Sequence, residues 1–177
     1  MTTVYSVGHS TRAAAELLEL LAEAGIATLV DVRRYPGSKR NPQYSRDTLE
    51  HSLSEAGIDY VWLGKGLGGR QRESVPVEQS VNRAWTVPAF RHYADAMVTP
   101  EFRGAFEALE SLARVAPTAV LCAERLWWRC HRRLLADLLC VHGFEVRHLL
   151  EPRKQTPHEL TEWARVQDSV LSYPGLL

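Results

Sequence analysis

The strongest constraint on this chain is a recurring pair of segments. A short apolar run ends on a polar or reactive residue, and a stretch with apolar residues at helical spacing follows. Residues 27–32 form the clearest run, continuous and closing on Asp31, as expected of a central parallel strand covered on both faces. Residues 4–8 form a shorter one around Val4 and Val7. The helix after it is read from Ala14, Leu17, Leu18 and Leu21, with Ser10 or Thr11 as its cap and Gly25 as its stop. Residues 60–63, 118–122 and 144–149 are read as three more strands. Helices are read over 47–56, 90–97, 101–115 and 130–142. In the last of these, Leu134, Leu135, Leu138 and Leu139 form the apolar stripe.

Strands separated by helices imply right-handed crossovers. The expected fold is therefore α/β: three layers, a mainly parallel sheet of about five strands, and helices on both faces. The 177 residues, 45% hydrophobic and 24% charged, suit one domain, with a core over 4–150 and a C-terminal extension over 151–177. That extension is polar and proline-punctuated, with one short helix read over 159–167.

Lys plus Arg and Asp plus Glu are equal at 21 each, so any affinity for nucleic acid must come from a local patch. No apolar stretch approaches the ~20 residues of a membrane span, and no membrane partner is expected. The chain opens directly into a strand, and its three cysteines form no disulfide framework, so a cytoplasmic setting is expected.

In parallel sheets ligands bind outside the carboxyl ends of the strands, near a switch in strand order. Here the strands end in Gly8-His9-Ser10, in Asp31-Val32-Arg33-Arg34, in a glycine-dense stretch 64–70, and in Cys122-Ala123-Glu124. A folding-only reading is that strand ends turn polar in any case. Cys130, placed at a helix start, would gain a lowered pKa and nucleophilicity. His131 or His9 would move a proton, and Arg33 and Arg132 would hold an anion, with Glu124 orienting one of them. The alternative for both cysteines is inert burial. A metal on Cys122, Cys130, His131 and His9 suits the ligand chemistry, but the spacing matches no common zinc pattern, and no metal is assigned. Asp31 is expensive to bury alone, and an ion pair with Arg33, Arg12 or Arg132 is expected. Arg33, Arg34, Lys39 and Arg40 share a loop with Asn41, Tyr35 and Tyr44, which suits a phosphate or a stacked base, or equally a solvated loop. The glycine-dense stretch lacks the Gly-Lys-Ser/Thr of a phosphate-binding loop.

Taken together, Ser6-Val7-Gly8-His9-Ser10, Val30-Asp31-Val32-Arg33-Arg34-Tyr35-Pro36, Arg40-Asn41-Pro42-Gln43-Tyr44, Leu121-Cys122-Ala123-Glu124 and Cys130-His131-Arg132 resemble the domain-of-unknown-function family numbered 488. The resemblance covers 4 to about 150. It implies a compact three-layer α/β domain with a shared pocket at His9, Asp31, Arg33, Arg34, Asn41, Cys122, Glu124, Cys130, His131 and Arg132. It implies no settled activity, and any cofactor is unknown. The leading expectation is an enzyme acting on a small anionic, phosphorylated or nucleotide-like substrate through Cys122 or Cys130. The alternative is a non-catalytic nucleic-acid-binding or repair-associated module using the 33–40 loop.

Overall fold

In the computed structural model, which describes residues 1–175, the segments read as strands come together in one sheet. In chain order the parallel strands are β1 (Thr3–Gly8), β2 (Thr28–Asp31), β3 (Asp59–Trp62), β4 (Thr118–Cys122) and β5 (Glu145–Glu151). An antiparallel strand β6 (Lys154–Pro157) closes one edge, and the order across the sheet is β3-β2-β4-β1-β5-β6. A separate hairpin joins β7 (Arg165–Gln167) to β8 (Val170–Ser172).

Two apolar layers cover the sheet, and strand alternation decides which residue enters which layer. Val7, Leu29, Ala119 and Leu121 face α1 (Ala14–Glu23) and α2 (Arg46–Glu55) through Leu17, Leu21, Leu49 and Leu53. Val4, Val30, Val120 and Val146 face the other way. There they meet α4 (Pro88–Ala96), α5 (Pro100–Val115) and α6 (Arg132–Val141) through Tyr93, Phe102, Phe106, Leu135 and Leu139. A single turn, α3 (Gly64–Leu67), packs on α5, and Gly66 is required there because a Cβ would sit 2.5 Å from the Ala105 side chain. The glycine-dense stretch is thus a packing device at its start.

β1 leads through α1 on one face toward β2, whereas β4 leads through α6 on the opposite face toward β5. The order switches between the adjacent strands β1 and β4, and a crevice at their carboxyl ends follows from that divergence. The pairing continues past both strands: His9 N–H donates to the Cys122 carbonyl at 3.0 Å and Ser10 N–H to the Ala123 carbonyl at 2.9 Å.

Three local expectations are corrected. The helix expected over 159–167 is absent; Trp163 and Ala164 instead pack on the core, and Arg165–Gln167 is a strand. Asp168 and Ser169, at φ 51° and 62°, make the two-residue left-handed turn that a hairpin favours. Neither Ser10 nor Thr11 caps α1. Ala13 is the cap residue, and its N–H donates to the Glu16 carboxylate at 2.8 Å. Cys130 does not begin α6: it is extended (φ −127°, ψ 152°), after a 3-10 turn at Trp127–Arg129 and two residues before the helix.

Candidate active site

The crevice is a cleft of about 750 Å³. Arg33, Arg34, Lys39, Arg40, Arg70 and Arg129 line it, against one carboxylate, Glu124. The chain as a whole is neutral, so this cationic excess is local to the cleft. Asn41, half-buried, sits among these residues with its backbone N–H on Ser38 Oγ at 3.0 Å.

On the α1 side, Asp31 is fully buried and holds Arg33 through two parallel bonds, Nε to Oδ1 at 2.9 Å and Nη2 to Oδ2 at 2.6 Å. Tyr60 donates its hydroxyl to Oδ2 at 2.8 Å. Of the three arginines offered as partners for Asp31, Arg33 is the one chosen. Arg33 Nη1 then donates to the Tyr44 carbonyl at 2.8 Å and contacts His9 Nε2 at 3.2 Å. His9 Nδ1 lies 2.9 Å from the Ser10 carbonyl, which can only accept. The Nδ1 atom therefore carries the proton, and Nε2 accepts from Arg33. Burial holds this imidazole down at about 4. His9 is neutral at pH 7, with its lone pair already engaged.

A pH effect follows. An unfolded His9 takes up a proton near pH 6.5, whereas the folded one resists until about 4. The unfolded state therefore binds more protons between these values, and stability falls as pH drops through that window. The expected loss is about 3 kcal/mol by pH 4. Urea titrations of the protein and of His9→Gln at several pH values check this; equal pH slopes for the two would refute it.

On the α6 side, Cys122 and Cys130 face each other. Their sulfurs and a ring nitrogen of His131 all lie within 4.8 Å of one another. Arg132 Nε donates to the Cys130 sulfur at 3.4 Å, and His131 Nδ1 sits 3.6 Å from it. The Cys122 thiol hydrogen bond, followed by the charges of His131 and Arg132, holds Cys130 well below the usual thiol range against the opposing effect of burial. Sharing that proton, and burial, push Cys122 well above it. The two opposite directions favour the proton on Cys122 and the negative charge on Cys130. The third cysteine, Cys140, stands apart on α6 and is raised by burial.

Arg132 stands behind the cleft wall. It is 1% exposed, and its guanidinium bonds Ser6 Oγ at 3.1 Å, the Cys130 sulfur and the Glu124 carbonyl. Its guanidinium therefore meets the Cys130 sulfur from behind the wall, outside the cleft lining. Glu124 does meet this arginine, but through its main chain; its carboxylate accepts from Leu126 N–H at 3.0 Å. Arg34 donates to the Lys65 carbonyl, while Arg40 is exposed at the mouth. Tyr44, considered above for stacking a base, is fully buried and stacks on His9 at 4.2 Å, whereas Tyr35 is 67% exposed.

The cysteine pair and His131 are also the one set of donors among the described residues with the closeness of a metal site, and soft cations suit them. His9, the fourth ligand considered above, faces Arg33. Sequence reasoning missed Ser6, Tyr60 and Gly69. Tyr60 had a usable signal: an aromatic with a hydroxyl, two residues from the end of the strand beside Asp31. Gly69 had none. A Cβ there would lie 2.3 Å from His131 Nδ1, a closeness only the fold reveals.

The fold and cleft define a class: an open, mainly parallel α/β protein with a cysteine pair and an arginine-lined crevice at its strand-order switch. Residues 13–139, well over half of the chain, match the family described as domain of unknown function DUF488, and the chain belongs to that family. No curated protein and no solved structure matches it. No helix among the described residues is long and apolar enough to cross a membrane.

Proposed function

We propose that this protein is an enzyme that binds a small anionic, phosphorylated or nucleotide-like molecule in the β1–β4 cleft and attacks it with the Cys130 thiolate. The observation that carries this reading is the environment of one sulfur: Arg132 Nε at 3.4 Å, His131 Nδ1 at 3.6 Å, and the Cys122 thiol beside it. A sulfur so held favours the thiolate form, and a thiolate is a nucleophile. The cations Lys39, Arg40, Arg70 and Arg129 sit at the mouth, where they hold the substrate's charge. The exposed ring of Tyr35, with the Arg70 guanidinium 5.8 Å from its centroid, offers a flat surface for a base. Arg33 and His9 form a preset wall, the neutral imidazole bonded to the guanidinium.

The nucleic-acid alternative rests on the 33–40 loop, and two of its four cations turn inward. Arg33 is 5% exposed and paired to Asp31, and Arg34 is bonded to Lys65. A concave cleft with charge at its mouth favours a small ligand over a strand. A salt-sensitive shift with single-stranded RNA or DNA, lost in Arg40→Ala with Lys39→Ala, would favour the alternative.

Alkylation by iodoacetamide tests the thiolate. Between about pH 9 and about pH 6 the reaction of an ordinary thiol slows by more than about a hundredfold. Cys130, located by peptide mass spectrometry, is expected to slow by less than about tenfold, while Cys140, raised by burial, slows at least as steeply as an ordinary thiol. If Cys130 tracks Cys140, this reading is wrong.

A further inference from the structure

We infer that Cys122 is a resolving thiol, and that the Cys122–Cys130 pair reduces small anionic disulfides by closing into an intramolecular disulfide. This rests on the reading of Cys130 as a thiolate nucleophile in an anion-binding cleft, and it names the bond that the thiolate attacks.

Three features of the geometry point the same way. The two cysteines come from different elements, the end of β4 and the segment ahead of α6, yet their sulfurs lie within 4.8 Å. Both line the cleft, Cys122 half-buried and Cys130 5% exposed, so the two sulfurs form one wall toward an incoming molecule. Their surroundings are unequal: Arg132 and His131 bond to the sulfur of Cys130, and neither bonds to that of Cys122. An attacking thiolate beside a protonated partner is the arrangement that thiol–disulfide exchange requires.

The step balances. The Cys130 thiolate attacks one sulfur of an external disulfide R–S–S–R. A Cys130–S–S–R bond forms, the external S–S bond breaks, and RS⁻ leaves. The Cys122 thiol passes its proton to the released RS⁻ and, as a thiolate, attacks the Cys130 sulfur. The Cys122–Cys130 bond forms, the Cys130–S–S–R bond breaks, and the second RS group departs as a thiolate. One disulfide is reduced to a thiol and a thiolate, and two protein sulfurs are oxidised by the same two electrons. A further external dithiol would restore the pair.

The cationic mouth sets the substrate class: a disulfide whose halves bear carboxylates or phosphates. Arg40, Arg70, Arg129 and Lys39 would hold those groups while the S–S bond reaches the cysteine wall.

The test mixes reduced protein with excess glutathione disulfide, coenzyme A disulfide or cystamine, and follows intact mass and disulfide-linked peptides. The first two separate carboxylate from phosphate recognition, and the third is a cationic control. Wild-type protein is expected to lose two hydrogens and yield a Cys122–Cys130 cross-link. Reaction with at least one anionic disulfide should be about tenfold faster than with cystamine, and added salt should erode the difference. Cys122→Ser, with Cys122→Ala as a second variant should serine perturb the wall, is expected to stop at a mixed disulfide on Cys130. Cys130→Ser is expected not to react at position 122. A stable mixed disulfide on wild-type Cys130, or a preference for cystamine, overturns the inference while leaving the thiolate intact if iodoacetamide still captures Cys130 at low pH. Failure of Cys130 to react with either reagent removes both readings.

Discussion

Asp31→Ala is expected to lower folding stability by about 3–5 kcal/mol in urea denaturation at neutral pH. The carboxylate is fully buried, and the guanidinium that it holds is 5% exposed. Removing the carboxylate leaves Arg33 as an unpaired cation with water excluded, and it takes away the acceptor of the Tyr60 hydroxyl. The sensitive comparison is the double change. If the loss comes from a stranded charge, Asp31→Ala with Arg33→Leu should recover much of it, because apolar side chains can replace a buried ion pair at little net cost. A single-variant loss under about 1 kcal/mol would mean that water reaches Arg33 and that the wall of the cleft yields around it.

A loss of similar size, about 3–5 kcal/mol, is expected for Asp137→Ala, outside the cleft lining. Asp137 on α6 is fully buried and accepts from His158 Nε2 at 2.9 Å, Thr161 N–H at 2.9 Å and the Tyr173 hydroxyl at 2.7 Å. All three partners belong to the segment after β5, so one carboxylate fastens the C-terminal stretch to the core. His148, bonded to His158 at 3.0 Å and stacked on Trp127 at 4.1 Å, extends the same chain of contacts toward the loop after β4. Hydrogen exchange should show amides over 154–173 losing protection in the variant before those of β1 and β4. Uniform loss across the sheet would show that the segment does not come free as a unit.

How far the sequence revealed these arrangements depended on the range of the interaction. The continuous run before Asp31 and the leucine stripe at Leu134, Leu135, Leu138 and Leu139 specify strand and helix by their own periods. The sheet and its layers were legible from such segments. The rim of the sheet was legible as well, because strand ends carry the ligand-facing groups in any parallel arrangement. What a side chain does at that rim was less so. Arg132 reads as an anion clamp beside a cysteine, but the fold turns its guanidinium onto Ser6, on a strand 126 residues earlier. Tyr44 reads as an exposed stacking ring, yet its hydroxyl reaches the Arg12 carbonyl at 2.9 Å and pulls the ring under His9. The region over 159–167 misled for a similar reason. Trp163, with Trp85 on its other side, encloses the Arg133 guanidinium at about 5 Å from each ring, and that packing outweighs a weak local helical preference.

The contact at Gly8 has a consequence for how such a site could change over time. A methyl group there would lie 1.9 Å from the Glu124 carbonyl oxygen, main chain against main chain. That same carbonyl accepts from Arg132, which in turn steadies the sulfur of Cys130. The position therefore tolerates nothing larger than hydrogen unless the 123–126 turn is rebuilt in the same step. Lineages could vary the charged mouth one residue at a time, whereas the spacing between the two halves of the reactive wall is inherited as a unit.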